Sequence, residues 1–343
     1  MGPLAGIRVV EFAAIGPAPF CAMLLADLGA EILRIDRPAP SVTPADLSAR
    51  GRNSLVMDLK DPASIEICLK CLEHADVLIE GFRPGVMERL GLGPDVVQAR
   101  NKRLIYGRMT GWGQTGPLAN TAGHDINYIA LTGALEAIGD AAAPVPPLNV
   151  LGDYAGGALY LAMGIAAALF ERSRSGLGQI IDAAIVDGAA SLMTVFHNPQ
   201  AFGLPSNVRG AHMLSGAAPY YGVYECADKK FISVGALEPQ FYKLFLEILK
   251  LPSDALGSQH APADWPAGRA KLAALFATRG RDEWAALFAG TDACVTPVLS
   301  LAEATENAHM QARAVFGEVD GYPCPGPAPR FSRTQGELKS RVR

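Results

Sequence analysis

A chain of 343 residues, half of them hydrophobic, has material for a sizeable core, and its length suits two domains of ordinary size. A net charge of −4 argues against general nucleic-acid binding, although it leaves room for a local basic site. Charged residues make up only 19% of the chain, low for a fully solvated surface, which points to extra buried area such as a subunit interface.

The opening stretch MGPLAGIRVVEFAAIGP begins a strand and lacks the basic and apolar regions of a secretory signal. Together with six scattered cysteines it predicts a reduced, cytoplasmic protein. Strand patterns at 7–12, 31–36, 54–58, 76–80 and 103–109 alternate with helical patterns at 17–30, 62–75, 84–91 and 94–101. That alternation predicts an α/β domain with an open, mainly parallel sheet covered on both faces, Rossmann-like in plan. Cys68 and Cys71 form a C-x-x-C with His74 three residues on, but no second pair accompanies them. The amphipathic pattern over 62–75 reads them as core thiols rather than a metal site.

The middle of the chain reads as helical over 124–137, 154–174 and 180–197. The longest apolar run, 154–170, contains three glycines and falls short of the roughly 20 residues of a membrane span, so it predicts a buried helix and no membrane partner. A hairpin over 220–236 turns at Asp228-Lys229, helices follow at 239–250, 266–278 and 281–289, and 294–300 returns as a strand. The organisation expected is a large domain over 1–200, a linker over 201–218 and a small α+β domain over 219–314. The proline-rich, basic tail 315–343 would run over the surface and pack back on the large domain.

Arg37, Lys60 and Arg83 each follow a predicted strand, and Arg89 stands on the next helix. In open α/β sheets ligands bind at the carboxyl ends of strands, so these cations read either as a clamp for a polyanion, plausibly phosphates, or as scattered surface charge. The glycine fingerprints of dinucleotide and P-loop sites are absent, which argues against NAD in its standard mode and ATP on a P-loop. Asp153 precedes the long apolar helix and is an ordinary N-cap residue. Gly152, Gly156 and Gly157 around it would let a ligand reach the helix start, where N–H groups could polarise a carbonyl toward its enolate, with Asn149 as a further donor. His124 can take and return protons near neutrality, or serve structurally beside Asp125 and Asn127. Glu238 opens a helix and is either dipole compensation or the carboxylate that holds a histidine ring. TGWGQTGP over 110–117 reads on its own as a loop.

Taken together, RIDRP (34–38), EGFRPGVMERLGLG (80–93), TGWGQTGP, AGHDINY, PPLNVLGD, IDAAIVDG (181–188), YYGVYECAD and LEPQFY resemble the α-methylacyl-CoA racemases of the family III CoA-transferase (CaiB/BaiF) superfamily. The resemblance covers nearly the whole chain. It implies a branched acyl-CoA thioester as substrate and the CoA-transferase family III fold as an interlocked homodimer. The active site would lie between the large domain of one subunit and the small domain of the other. It assigns His124 and Asp153 as the two bases, with Glu238 and Asn149 completing the site. It places Arg37, Leu59, Lys60, Gly81, Arg83, Arg89, Gly123, Asp125 and Tyr128 against CoA.

The reaction implied is removal of the hydrogen beside the thioester carbonyl and its return to the opposite face of a planar enolate. His124 and Asp153 would flank the carbon, and no metal or redox cofactor is called for. Ile15, Met193, Met213 and Leu214 are expected along the acyl group. Two alternatives stay open: a CoA-transferase in which Asp153 is the nucleophile, and a non-catalytic acyl-CoA carrier.

Overall fold

In the computed structural model, which describes residues 1–38, 46–202 and 208–340, six strands form one parallel sheet. They are β1 (Arg8–Phe12), β2 (Glu31–Asp36), β3 (Arg52–Val56), β4 (Val77–Glu80), β5 (Ile105–Thr110) and β6 (Ile180–Ala184), in the order β3-β2-β1-β4-β5-β6. The helices between them are α1 (Pro17–Asp27), α2 (Pro62–Glu73), α3 (Val86–Arg89), α4 (Pro94–Arg100), α5 (Asp125–Leu131), α6 (Ala134–Ala137) and α7 (Leu159–Ser175), and α8 (Ile185–Leu192) follows β6.

Sequence periodicity explains the layering. Successive strand residues point to opposite faces. Val9, Val77 and Ile79 therefore join the core under α1 and α7, while Val10, Phe12 and Leu78 join a second core with Leu69, Leu72 and Val97 of α2 and α4. Both faces are buried, so these strands carry near-continuous apolar runs. Helix starts are marked chemically: the Asp61 carboxylate accepts the Ala63 N–H at 3.0 Å, and Pro62 fills the first helical position of α2. Charge inside the sheet is paired. Glu11, fully buried on β1, accepts from both Arg34 and Arg52, and burial pushes its carboxyl above the usual range. The strand order reverses between β1 and β4, and the crevice outside their carboxyl ends is where such sheets bind ligands.

By internal contacts the chain divides into Met1–Ala134 with Pro147–Val195 and Ala308–Arg343, and Leu135–Pro146 with Phe196–Asn307. The second unit holds a three-stranded antiparallel sheet, β7 (Tyr221–Glu225), β8 (Phe231–Gly235) and β9 (Val295–Val298), with helices Pro239–Ile248, Trp265–Phe276 and Arg281–Phe288. Tyr220, Tyr224, Phe245, Phe276, Trp284 and Phe288 form its core. The stretch Leu135–Pro146, expected within the large domain, belongs to this unit because Arg209 pairs with Glu136 and donates to the Asp140 carbonyl. Residues 203–207 of the expected linker lie outside the described residues.

Three expectations are corrected. The helix expected over 180–197 begins instead as β6, which pairs with β5 from Tyr106↔Ile180 to Thr110↔Ala184. The helix expected over 124–137 breaks at Gly133, whose φ is +80°. Within the tail, β10 (Phe316–Val319) and β11 (Tyr322–Pro325) form a hairpin at Asp320-Gly321, both with positive φ. Finally, Val150–Ser175 is one continuous helix of 26 residues, long and apolar enough by composition to cross a membrane, and only about a third of its most apolar stretch is buried. Leu159, Met163 and Phe170 stand exposed on it, while Arg172 near its end is buried and bonded to Asp76.

Candidate active site

The chain enters the long helix at Asn149, and its first nine residues, Val150–Ala158, wind as a π-helix, a form that recurs at functional sites. Asp153 is thus inside the first turns and not their N-cap. The glycines around it serve close packing rather than ligand access. A Cβ on Gly156 would lie 2.8 Å from the Ala189 nitrogen, and one on Gly152 would lie 2.3 Å from an Asp125 carboxylate oxygen. That oxygen accepts the Asp153 N–H at 2.6 Å, so this N–H is committed and does not serve a substrate carbonyl.

The Asp153 carboxylate is half-buried and faces Gly16 in the β1–α1 loop, where a Cβ would sit 3.3 Å from Oδ2. Asn149 Nδ2 donates to the same oxygen at 3.2 Å. Burial pushes the Asp153 carboxyl above its ordinary range and the Asp125 charge adds to that, while Asn149 and the positive form of His124 oppose it. His124 and Asp153, well separated in sequence, therefore lie within electrostatic reach of one another in one folded unit.

His124 is the N-cap residue of α5, but its backbone does the capping: its N–H donates to Asn127 Oδ1 at 3.0 Å. The imidazole makes no capping bond. It is exposed on a cavity of about 310 Å³ that is also lined by Gly81, Arg83, Trp112, Gly123 and Tyr128. Tyr128 packs edge-on against Trp112 with ring centroids 4.7 Å apart, and its hydroxyl donates to the Gly123 carbonyl at 2.5 Å. A Cβ on Gly111 would strike that ring at 2.0 Å, which explains the glycine. Thr110, Gly111 and Trp112 were read only as loop; the structure makes them cavity wall, and a tryptophan between glycines was the available signal.

Arg37, Leu59 and Lys60 line a second, apolar cavity of about 290 Å³ at the carboxyl ends of β2 and β3. Phe82 forms part of the wall of both cavities. Gly81 lies against the β1–α1 loop, a Cβ there falling 2.9 Å from the Ala14 Cβ. Arg37, Lys60, Arg83 and Arg89 are exposed and have no carboxylate partner among the described residues, whereas the buried Arg34, Arg50, Arg52 and Arg108 are all paired. Two of the expected CoA contacts sit elsewhere. Arg89 lines neither cavity, and Asp125 is buried beneath Asp153. Glu238 belongs to the second unit, exposed at the start of Pro239–Ile248. Among the described residues no three His, Cys, Asp or Glu side chains gather to hold a metal.

The model of the family described as CoA-transferase family III matches residues 4–342. The chain belongs to that family. Among curated members, alpha-methylacyl-CoA racemase of Mus musculus is 48% identical over 333 residues, 96% of this chain and 87% of that protein. The Homo sapiens protein of the same name is 47% identical over 328 residues, 94% of this chain and 86% of that one. A crystal structure of a CAIB/BAIF family protein from Brucella suis, 26% identical, superposes with a TM-score of 0.84 over 100% of this chain and 96% of that one. The six-stranded parallel sheet and small antiparallel sheet are thus the fold of this CoA-transferase family III member.

Proposed function

We propose that the protein is a racemase of 2-methylacyl-CoA thioesters, working by removal and return of the α-hydrogen through an enolate. The observation that carries this reading is the electrostatic proximity of Asp153, a carboxylate whose basicity burial raises, to His124, an exposed imidazole lining a cavity with Arg83, a cation without a carboxylate partner among the described residues. Similarity to racemases over more than nine-tenths of the chain supports it.

In this reading His124 and Asp153 take opposite faces of the α-carbon, each cycling between free and protonated forms. In the first turn of α5 the Asn127 and Tyr128 N–H groups donate to the His124 carbonyl, so the N–H groups of Asp125 and Ile126, beside His124, are assigned in place of that of Asp153 as donors for the enolate oxygen. Proton transfer stabilised by backbone donors calls for no metal or redox cofactor. Arg37, Lys60 and Arg83, with Leu59, Gly81, Gly123 and Tyr128 along the walls, are assigned to the CoA moiety. Asn149 holds the Asp153 carboxylate. Glu238 is read as the carboxylate that orients His124, brought by the second subunit of an interlocked homodimer. The exposed Leu159, Met163 and Phe170 on α7, with the sparse surface charge, support burial against a second copy rather than a membrane. A cytoplasmic setting fits the free thiols.

The test is exchange of the α-hydrogen of a 2-methylacyl-CoA in heavy water with no acceptor acid present. His124→Ala is expected to slow exchange by about 10²–10⁴-fold while leaving CoA affinity near that of the parent. An absolute requirement for an acceptor carboxylate would replace this reading with CoA transfer through Asp153. CoA binding with neither activity would leave a carrier.

A further inference from the structure

A chain of charges, buried at Glu80 and Arg108 and reaching the surface at Glu88, lies behind the loop that separates the two cavities. Glu80 ends β4 and is fully buried. Its Oε2 accepts the Phe82 N–H at 2.7 Å, and its Oε1 accepts Arg108 Nε at 3.0 Å. Arg108, buried on β5, turns its other two nitrogens to Glu88 on α3, at 2.8 and 3.2 Å. Tyr106, two residues earlier on β5, has its ring centroid 5.7 Å from the Arg108 guanidinium and donates its hydroxyl to the Leu92 carbonyl at 2.9 Å. One arginine thus ties the strand end, the loop 81–85 and α3 to the middle of the sheet. The loop so held contributes Gly81, Phe82 and Arg83 to one cavity and Phe82 to the other.

None of Glu80, Arg108 or Glu88 lines either cavity, so none is placed to touch a substrate. Isolated charge is costly to bury, and a doubly paired arginine between two carboxylates is stable only with both partners. Within the loop the network holds the Phe82 N–H directly, through Glu80.

We propose that Glu80, Arg108 and Glu88 form a positioning device for recognition of the CoA moiety, setting the place of Phe82 and Arg83 without contacting the reacting atoms. The inference rests on the acyl-CoA reading above and deepens it. It differs from a purely structural role in what it moves. Loss of a structural ion pair lowers melting temperature; loss of a positioning one weakens CoA binding while the proton-transfer step at His124 and Asp153 continues at its own rate.

The experiment compares wild-type protein with Glu80→Gln and Glu88→Gln, reading free-CoA affinity by calorimetry, KM and kcat for α-hydrogen exchange, and melting temperature. Glu88 is 43% exposed at its side chain, so its variant folds even where a change at Glu80 does not. Both variants are expected to raise the CoA Kd and KM by about ten-fold, with kcat within about two-fold. Wild-type CoA affinity in Glu88→Gln, whatever its melting temperature, overturns the proposal. So does a fall in kcat with KM unchanged. Wild-type protein that binds no CoA overturns the acyl-CoA reading and this inference together, whereas normal wild-type binding with an unaffected variant removes this inference alone.

Discussion

The carboxylate of Asp125 accepts the backbone N–H of Asp153 at 2.6 Å. Asp125 directly follows His124, so the two proposed bases are joined through a single peptide link and one hydrogen bond. The spacing between them is set by the short Asp125 side chain reaching the Asp153 backbone, and Asn149 holds the Asp153 carboxylate from the other side. Gly152 stands against the same carboxylate, with no room for a methyl group.

Gly152→Ala is therefore expected to push Asp125 aside and carry Asp153 with it. A displacement near 1 Å costs about 10²-fold in rate, and the loss should appear in α-hydrogen exchange while CoA affinity stays close to wild type. Exchange at the parent rate would show that the Asp125–Asp153 link does not set the geometry.

Asn149 donates to Asp153 and lowers a carboxyl that burial has raised. Asn149→Ala removes the lowering contact, so the Asp153 carboxyl rises further and more of it is protonated at a given pH. The acid limb of the exchange rate should move to higher pH. A pH–rate profile measured from pH 4 upward checks the sign; a limb that stays in place or moves down contradicts Asp153 as the titrating base.

Arg37 and Lys60 share a cavity and lack carboxylate partners among the described residues. Loss of a charge-assisted contact is worth about 1.5–3 kcal/mol. Arg37→Ala should raise KM for an acyl-CoA by about 10–100-fold and flatten its dependence on salt, with melting temperature unchanged. A KM insensitive to both Arg37→Ala and Lys60→Ala would return these cations to ordinary surface charge.

Burial pushes the Glu80 carboxyl up to about 7. A carboxyl raised in the folded state contributes stability that is complete below its unfolded value and is lost as pH rises through the folded one. Between pH 6 and pH 8 the wild type should lose about 1 kcal/mol through this group. Glu80→Gln should lose less over the same window, which paired thermal melts at the two pH values would reveal.

Strands β1, β2 and β4 were legible because a parallel sheet covered on both faces leaves unbroken apolar runs such as Val9–Val10 and Val77–Leu78–Ile79. Strand order was not, since no local pattern records which neighbour a strand will choose. β6 was hidden in IIDAAIVDGAAS, where apolar residues fit both helical and strand spacing and the strand pairs on one side with β5. The hairpin at Asp320-Gly321 carried its signal in that dipeptide, masked by surrounding prolines. In the site, His124, Asp153 and Asn149 could be named from chemistry and resemblance. The bond from the Asp153 N–H to Asp125 is not legible, because an acid at a helix start looks the same whether it faces solvent or reaches under a distant backbone N–H. Glu80 and Arg108 were invisible for the converse reason: their partners are brought close only by the register of β4 on β5.

The first unit is closed by residues made long after its opening strands. Glu337 donates its N–H to the Asp27 carbonyl, Lys339 reaches the Ala30 carbonyl across 309 positions, and the Ser340 carbonyl receives the Gly51 N–H. While a ribosome is still threading the second unit, α1 and the approach to β3 wait with bare polar backbone. Until residues 337–340 are in place those groups bond only water, so this margin is completed late in synthesis.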